Sequence, residues 1–156
     1  MRSHVLMALT FVFVTSWVSA QHCPSIDIDK STGFCTVPDH DLTPGEMDAS
    51  LVCVSNTQRP RDVTASEKKA ILAAYGYPPA TDKSTGEFDH WFPHWMGGSD
   101  GPKNIWFEPR AGRFGSFQKD KVEALLWRDV CVKKTMSLDQ AKTLYLKGWT
   151  KLLPEQ

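Results

Sequence analysis

Apolar residues recur at helical spacing in three segments of the chain. The first segment begins at the capping box Thr64-Ala-Ser-Glu67 and ends at Gly76, just before two prolines. The second covers residues 117–132, and the third begins at another capping box, Ser137-Leu-Asp-Gln140. The pattern predicts that these two helices bury Val122, Leu125, Leu126, Val130, Ala141, Leu144, Tyr145 and Trp149.

Two short strands are expected between the first and second helices. An aromatic-rich stretch runs from Phe88 to Trp95, and a second apolar stretch covers residues 104–107. The six residues from Gly97 to Pro102 have the composition of a loop. The sequence therefore predicts an α+β fold, with a central hairpin surrounded by helices.

The N-terminal 20 residues have the features of a secretory signal peptide. Arg2 precedes an apolar run from Val5 to Val18, and small residues lead up to Ala20. The apolar run is shorter than the roughly 20 residues that a membrane span needs. We therefore expect a secreted, extracellular protein with no membrane association.

The rest of the chain divides by composition into two parts. Residues 21–58 read as an irregular N-terminal arm, because prolines and glycines interrupt short polar segments. Residues 59–156 contain all the predicted helices and strands and are expected to form one domain. A monomer is the expected form.

Four cysteines follow the signal peptide, and an even number in a secreted chain indicates two disulfides. A zinc site with four thiolate ligands is disfavoured, because no two cysteines are separated by only two residues. Of the three connectivities, proximity favours Cys23–Cys35, which leaves Cys53 to pair with Cys131.

The charge balance argues against a strongly basic nucleic-acid-binding protein. Without residues 1–20 the chain carries a formal net charge of −1. Residues 21–58 are acidic, whereas residues 103–134 hold a local excess of +4. A polyanionic partner is therefore expected to meet the second half of the chain.

Reactive side chains are densest in the segment from Glu87 to His94. The carboxylate of Asp89 can bind a divalent cation, and the imidazole of the adjacent His90 can take a proton from water. Metal-assisted phosphodiester hydrolysis requires both functions close together. Without further context, such a pair is equally compatible with a salt bridge at the surface.

The motifs around this pair resemble the HNH nuclease superfamily, and in particular a group of small secreted HNH-like proteins. The segment from Glu87 to Gly98 matches that group's pattern E-x-D-H-x-x-P-x-x-x-G-G, and residues 104–109 are similar to its N-L-W-P-Q-P. Lys119-Asp120-Lys-Val-Glu123 matches K-D-x-x-E, and a Val-Cys pair follows at residues 130–131. The resemblance covers roughly residues 43–149 and implies a ββα-metal core.

The resemblance also implies a role for individual residues. Asp89 and Asp120 would be the metal ligands, and His90 would be the general base. Asn104 would tie the loop between the two strands and hold the histidine in place. The remaining roles are support of the site by Glu87 and Glu123, and contacts to the phosphate backbone by Arg113 and Lys119.

The chain departs from the superfamily in one important respect. No histidine follows His94, so the histidine that typical members carry on the helix is absent. His94 has no counterpart in the group and is interpreted as a surface or turn histidine. Asp120 and Glu123 are also compatible with the solvated face of a helix.

Two functions remain in competition. The first is a secreted nuclease that hydrolyses DNA or RNA with one divalent metal ion, which could be magnesium, manganese, nickel or zinc. The second is a catalytically inactive HNH-like effector or binding protein that acts on a host or competitor target, with a host or inhibitor protein as partner. The low net charge favours the second function, and the Asp89-His90 pair favours the first.

Overall fold

The computed structural model of the chain describes residue 23 and residues 28–54 and 58–153. Within these residues it contains helices α1 (Ala65–Ala74), α2 (Ser116–Trp127) and α3 (Leu138–Leu146), and strands β1 (Gly86–His90) and β2 (Ile105–Pro109). The mixed helix and strand content confirms the predicted α+β class. The predicted signal peptide, residues 1–20, lies outside the described residues.

Both predicted capping boxes are present. The Thr64 hydroxyl at the start of α1 accepts a hydrogen bond from the backbone of Glu67, whose carboxylate accepts one from the Thr64 backbone at 2.8 Å. Ser137 and Gln140 make the same reciprocal pair at the start of α3. These bonds satisfy amide groups that the first turn of a helix leaves without an intrahelical partner, so the local sequence sets where both helices begin.

The two strands form an antiparallel hairpin whose register places Asp89 opposite Trp106 and His90 opposite Ile105. Every residue of β2 is buried, which makes this strand the centre of the core. Aromatic rings surround it, and those of Trp91, Trp106, Tyr145 and Trp149 are almost fully buried. Strand β1 ends at His90, and the residues that follow form the loop between β1 and β2 that carries the candidate site.

The described part of the N-terminal arm is packed into this core. Phe34 and Cys35 are buried, and the Tyr77 hydroxyl accepts a hydrogen bond from the Cys35 backbone at 2.8 Å. The indole nitrogen of Trp106 donates to the Cys35 carbonyl at 3.1 Å. Residues 34–35 therefore help to cover the outer face of the hairpin.

Helix α2 buries Val122 and Leu126 as its apolar pattern predicts, but it does not bury Leu125. Leu125 is 46% exposed, whereas Lys119 lies in the core together with Val122 and Leu126. Positions 119, 122 and 126 share one face of a helix, and Leu125 projects away from it. The prediction that Leu125 is buried is wrong, because a charged residue occupies the core-facing position.

The structure pairs the cysteines as the sequence predicts. Cys23 and Cys35 are joined with a Cα–Cα distance of 5.9 Å, and Cys53 and Cys131 with 5.6 Å. A short π-helical turn, Arg128–Val132, extends α2 and carries Cys131. Two disulfides are typical of proteins that mature in an oxidising environment outside the cytosol.

In the described part of the chain, no helix has the length and apolarity to cross a membrane.

The two disulfides are expected to stabilise the protein unequally. The Cys53–Cys131 bond closes a loop of 78 residues and the Cys23–Cys35 bond one of 12 residues. In the chain-entropy account, replacing the first pair with serine lowers the free energy of unfolding by about 4–5 kcal/mol, and replacing the second lowers it by about 3 kcal/mol. Urea denaturation of the two double variants measures both losses. An equal or reversed order would contradict this prediction.

Candidate functional site

The loop after β1 is held in shape by the side chain of Asn104. Its amide oxygen accepts from the Phe92 backbone at 2.8 Å, and its amide nitrogen donates to the carbonyls of Phe92 at 2.9 Å and Ser99 at 3.0 Å. A Cβ atom at Gly98 would collide with the Phe92 carbonyl and with this amide. Asn104 and Gly98 therefore fix the part of the loop that contains His94 and Asp100.

This loop brings together three side chains that could hold a metal ion: His90, His94 and Asp100. Their donor atoms all lie within 4.8 Å of one another. One carboxylate oxygen, Oδ1 of Asp100, lies 2.7 Å from Nε2 of His90 and 2.6 Å from Nε2 of His94. The two imidazole rings meet edge to face at 4.3 Å, and both histidines are buried.

Hydrogen bonding determines which ring nitrogens carry protons in this cluster. An ionised carboxylate only accepts hydrogen bonds, so both Nε2 atoms must donate to Asp100. In neutral rings this leaves each Nδ1 without a proton, and neither Nδ1 has a hydrogen-bond partner among the described residues. The Nδ1 of His90 lies 3.7 Å from Oδ1 of Asp89.

The electrostatics of the cluster suit ligands that bind metals in their deprotonated forms. Burial lowers the pKa of His94, and this effect outweighs the hydrogen bond to Asp100. Burial opposes ionisation of Asp100, but the hydrogen bonds from His94 and His90 hold the pKa of that carboxyl below its usual value. At neutral pH the site therefore presents a neutral imidazole at His94 and an ionised carboxylate at Asp100.

Beneath this cluster, Lys119 forms a buried ion-pair network. Its ammonium nitrogen lies 2.5 Å from Oδ2 of Asp89 and 2.7 Å from Oε1 of Glu123. The same nitrogen donates to the His90 carbonyl at 3.2 Å. Nη2 of Arg61, whose side chain is half exposed, lies 3.0 Å from the other oxygen of Asp89. Asp89 is therefore held by two cations from opposite sides.

The ionisation of the network follows from its partners. Burial would raise the pKa of Asp89, but the charges of Lys119 and Arg61 hold it well below its usual range. Burial would lower the pKa of Lys119, but the charges of Glu108 and Glu123 and its other anionic neighbours hold it well above its usual range. Asp89 and Lys119 are therefore a fully ionised pair at neutral pH.

Glu108 adds a third acidic side chain to the network. Its side chain is fully buried on β2, with Oε1 3.6 Å from the Lys119 nitrogen. Neither of its carboxyl oxygens has a hydrogen-bond partner among the described residues. Burial raises the pKa of Glu108 well above its usual value, against the opposing charge of Lys119.

The predicted phosphate contact of Lys119 is wrong in this arrangement. Its side chain has no exposed surface, and its charge is used by Asp89 and Glu123. Arg113, the other predicted phosphate contact, is exposed, with its guanidinium over the Phe114 ring at 5.3 Å from the ring centre. An exposed position is compatible with the predicted contact.

The structure also places the predicted metal ligands and supporting residues. Asp120 is exposed on α2, whereas Asp89 is buried and engaged by Lys119 and Arg61. Among the described residues, Asp89 and Asp120 are not part of any group of three donors close enough to hold an ion. Glu87 accepts a hydrogen bond from Ser116 and lies 3.4 Å from Arg110, and Glu123 holds Lys119.

The sequence reasoning passed over His94 and Asp100. His94 is interpreted from the sequence as a turn histidine, yet it is 4% exposed and lies beside His90. The spacing of the two histidines, His-x3-His, is typical of metal ligands and could have identified the pair. Nothing in the local sequence marks Asp100, which reaches the histidines only because the glycine-rich loop turns back.

Comparison of the chain with protein families, with curated proteins and with solved structures found no match. The resemblance to the HNH nuclease superfamily therefore rests on the motifs themselves.

The ion-pair network predicts a large effect of replacing Lys119. Lys119→Met leaves Asp89 and Glu123 without their shared cation, and we expect the free energy of unfolding to fall by about 3–5 kcal/mol. Lys121→Met, on the exposed face of the same helix, is the matched control and should change it by less than about 0.5 kcal/mol. Urea denaturation at neutral pH measures both. Equal stability of the two variants would show that the network contributes little.

Proposed function

We propose that this protein is a secreted, metal-dependent nuclease that hydrolyses phosphodiester bonds of DNA or RNA. The observation that carries the proposal is the convergence of His90, His94 and Asp100 within 4.8 Å, in the loop that follows the Asp-His pair. The HNH-like motifs supply the nuclease class, and this cluster supplies a donor set for the metal.

The residues of the cluster fit a divalent ion of intermediate softness. Two imidazoles and one carboxylate suit zinc, nickel or manganese better than magnesium, which prefers oxygen ligands. Three protein ligands also leave a coordination position open, as catalytic zinc sites do. The hydrogens that now lie between Asp100 and the two Nε2 atoms would be displaced when the ion binds.

Asp89 has a supporting role in this arrangement. If His90 held an ion through Nε2, its proton would lie on Nδ1, which is 3.7 Å from Oδ1 of Asp89. Metal-binding histidines commonly donate their second ring N–H to a carboxylate in this way. Lys119 and Arg61 keep Asp89 ionised and in place, so the network orients His90.

The chemistry can then be divided between the ion and the chain. A bound divalent ion would polarise a phosphate oxygen and lower the pKa of a water molecule. Arg61 lies at the edge of the site with a half-exposed side chain, where its charge can attract a phosphate group. Asn104 keeps the loop, and with it the three donors, in one geometry.

This proposal is tested by cleavage and by metal binding in parallel. Residues 21–156, with disulfides formed, are assayed on plasmid DNA, single-stranded DNA and RNA with magnesium, manganese, nickel, zinc or EDTA. We expect cleavage with a transition metal and none in EDTA. His94→Ala and Asp100→Asn should abolish cleavage and weaken zinc binding in calorimetry at least about tenfold. His40→Ala, which changes an exposed histidine, is the control and should alter neither.

The same experiment separates the roles of His90. If His90 is a metal ligand, His90→Ala weakens zinc binding as His94→Ala does. If His90 is the general base that the sequence predicts, His90→Ala loses cleavage but binds zinc normally. Weakened binding in Asp120→Asn, with normal binding in His94→Ala and Asp100→Asn, would place the ion at the carboxylates that the sequence predicts. Metal binding without cleavage of any substrate would favour the inactive effector or binding protein.

A further inference from the structure

An open pocket of about 330 Å³ lies directly beside the metal-donor cluster. Its walls include His94 of the cluster, the half-exposed Arg61, and two indole rings, those of Trp95 and Trp127. The volume is at the lower end of the range for small-molecule pockets, roughly 300–1,000 Å³. It can therefore hold one small group next to the candidate site.

The chemical groups of the pocket are of three kinds. Trp127 is 43% exposed at the end of α2, so part of its flat ring is open to a ligand. The indole N–H of Trp95 is buried and has no hydrogen-bond partner among the described residues. Arg61 contributes a positive charge, and it contacts Asp89 through only one side of its guanidinium group.

The fold holds the exposed indole in place. Cys131 lies four residues after Trp127 in the π-helical turn, and its disulfide partner Cys53 also lines the pocket. The carboxylate of Glu123, which lines the same pocket, is engaged by Lys119 at 2.7 Å and by the Tyr145 hydroxyl at 3.1 Å. Its negative charge is thus compensated from within the protein.

We propose that this pocket binds one unpaired nucleotide of a nucleic-acid strand, with the base stacked on Trp127 and its phosphate at Arg61. This inference rests on the proposed nuclease function and specifies its substrate as single-stranded. An aromatic face beside a cation is the combination that single-strand-binding proteins use for base and backbone.

Charge, shape and position all favour this occupant. The exposed ring of Trp127 can stack on a base, and the half-exposed guanidinium of Arg61, which pairs with Asp89 through Nη2, can also meet a phosphate. A base that is stacked in a duplex cannot reach a pocket of this size without leaving the stack. Because His94 belongs to both features, a nucleotide in the pocket places a phosphodiester beside the metal donors.

Binding of labelled oligonucleotides in EDTA tests the subsite without cleavage. A short single strand and the duplex of the same sequence are compared by fluorescence anisotropy, each as DNA and as RNA. We expect the wild-type chain to bind the single strand at least about fivefold more tightly than the duplex. The DNA and RNA arms identify which sugar the pocket accepts.

Matched variants assign the binding to Trp127. Trp127→Leu keeps an apolar side chain but removes the ring, and should weaken single-strand binding by about 5- to 150-fold. Trp127→Phe keeps a ring and should retain most of the affinity. Phe117→Leu changes another exposed aromatic residue of α2, 52% exposed and outside the pocket, and should have no effect. Thermal melting confirms that each variant is folded.

Two results would overturn the subsite: wild-type affinity of Trp127→Leu for the single strand, or equal affinity of the wild-type chain for strand and duplex. Failure of the subsite and failure of the nuclease function give different results. A chain that binds strands through Trp127 but cleaves nothing would contradict the nuclease and retain the subsite. Cleavage by the wild-type chain, combined with unchanged binding by Trp127→Leu, would support the nuclease and contradict the subsite.

Discussion

The ammonium group of Lys119 is buried among three acidic side chains, and the arrangement of the site follows from that burial. Removing an ammonium ion from water costs several kcal/mol unless close partners compensate it. The partners come from β1 through Asp89, from β2 through Glu108, and from α2 through Glu123. The Tyr145 hydroxyl on α3 donates to Glu123, so one network connects the hairpin with two helices.

This constraint determines which groups remain for chemistry. Lys119 and Arg61 engage both oxygens of Asp89, so that carboxylate is already paired with two cations. The donors that remain are on the loop, where His90 and His94 share Asp100. The same burial also removes Lys119 from the basic surface of residues 103–134.

The parts of the fold that depend on local sequence were predictable, and the parts that depend on distant contacts were not. The capping boxes at Thr64 and Ser137 follow from local spacing, and the short separation of Cys23 and Cys35 favoured the pairing that left Cys53 for Cys131. The burial of Lys119 was not predicted, because hydrophobicity assigns lysine to the surface and only tertiary partners reverse that preference. Asp100 was missed for a similar reason: it lies ten residues from His90, and only the folded loop brings them together.

Locating a bound metal ion is the most direct test of the proposed site at His90, His94 and Asp100. Crystals of residues 21–156 soaked in zinc, with anomalous diffraction recorded at the zinc absorption edge, give the position of the ion without any assay of activity. We expect one strong anomalous peak within about 2.0–2.2 Å of Nε2 of His90, Nε2 of His94 and the Asp100 carboxylate. Lys119 should still be paired with Asp89. A peak at Asp89 and Asp120, with Asp100 still hydrogen-bonded to both histidines, would contradict it.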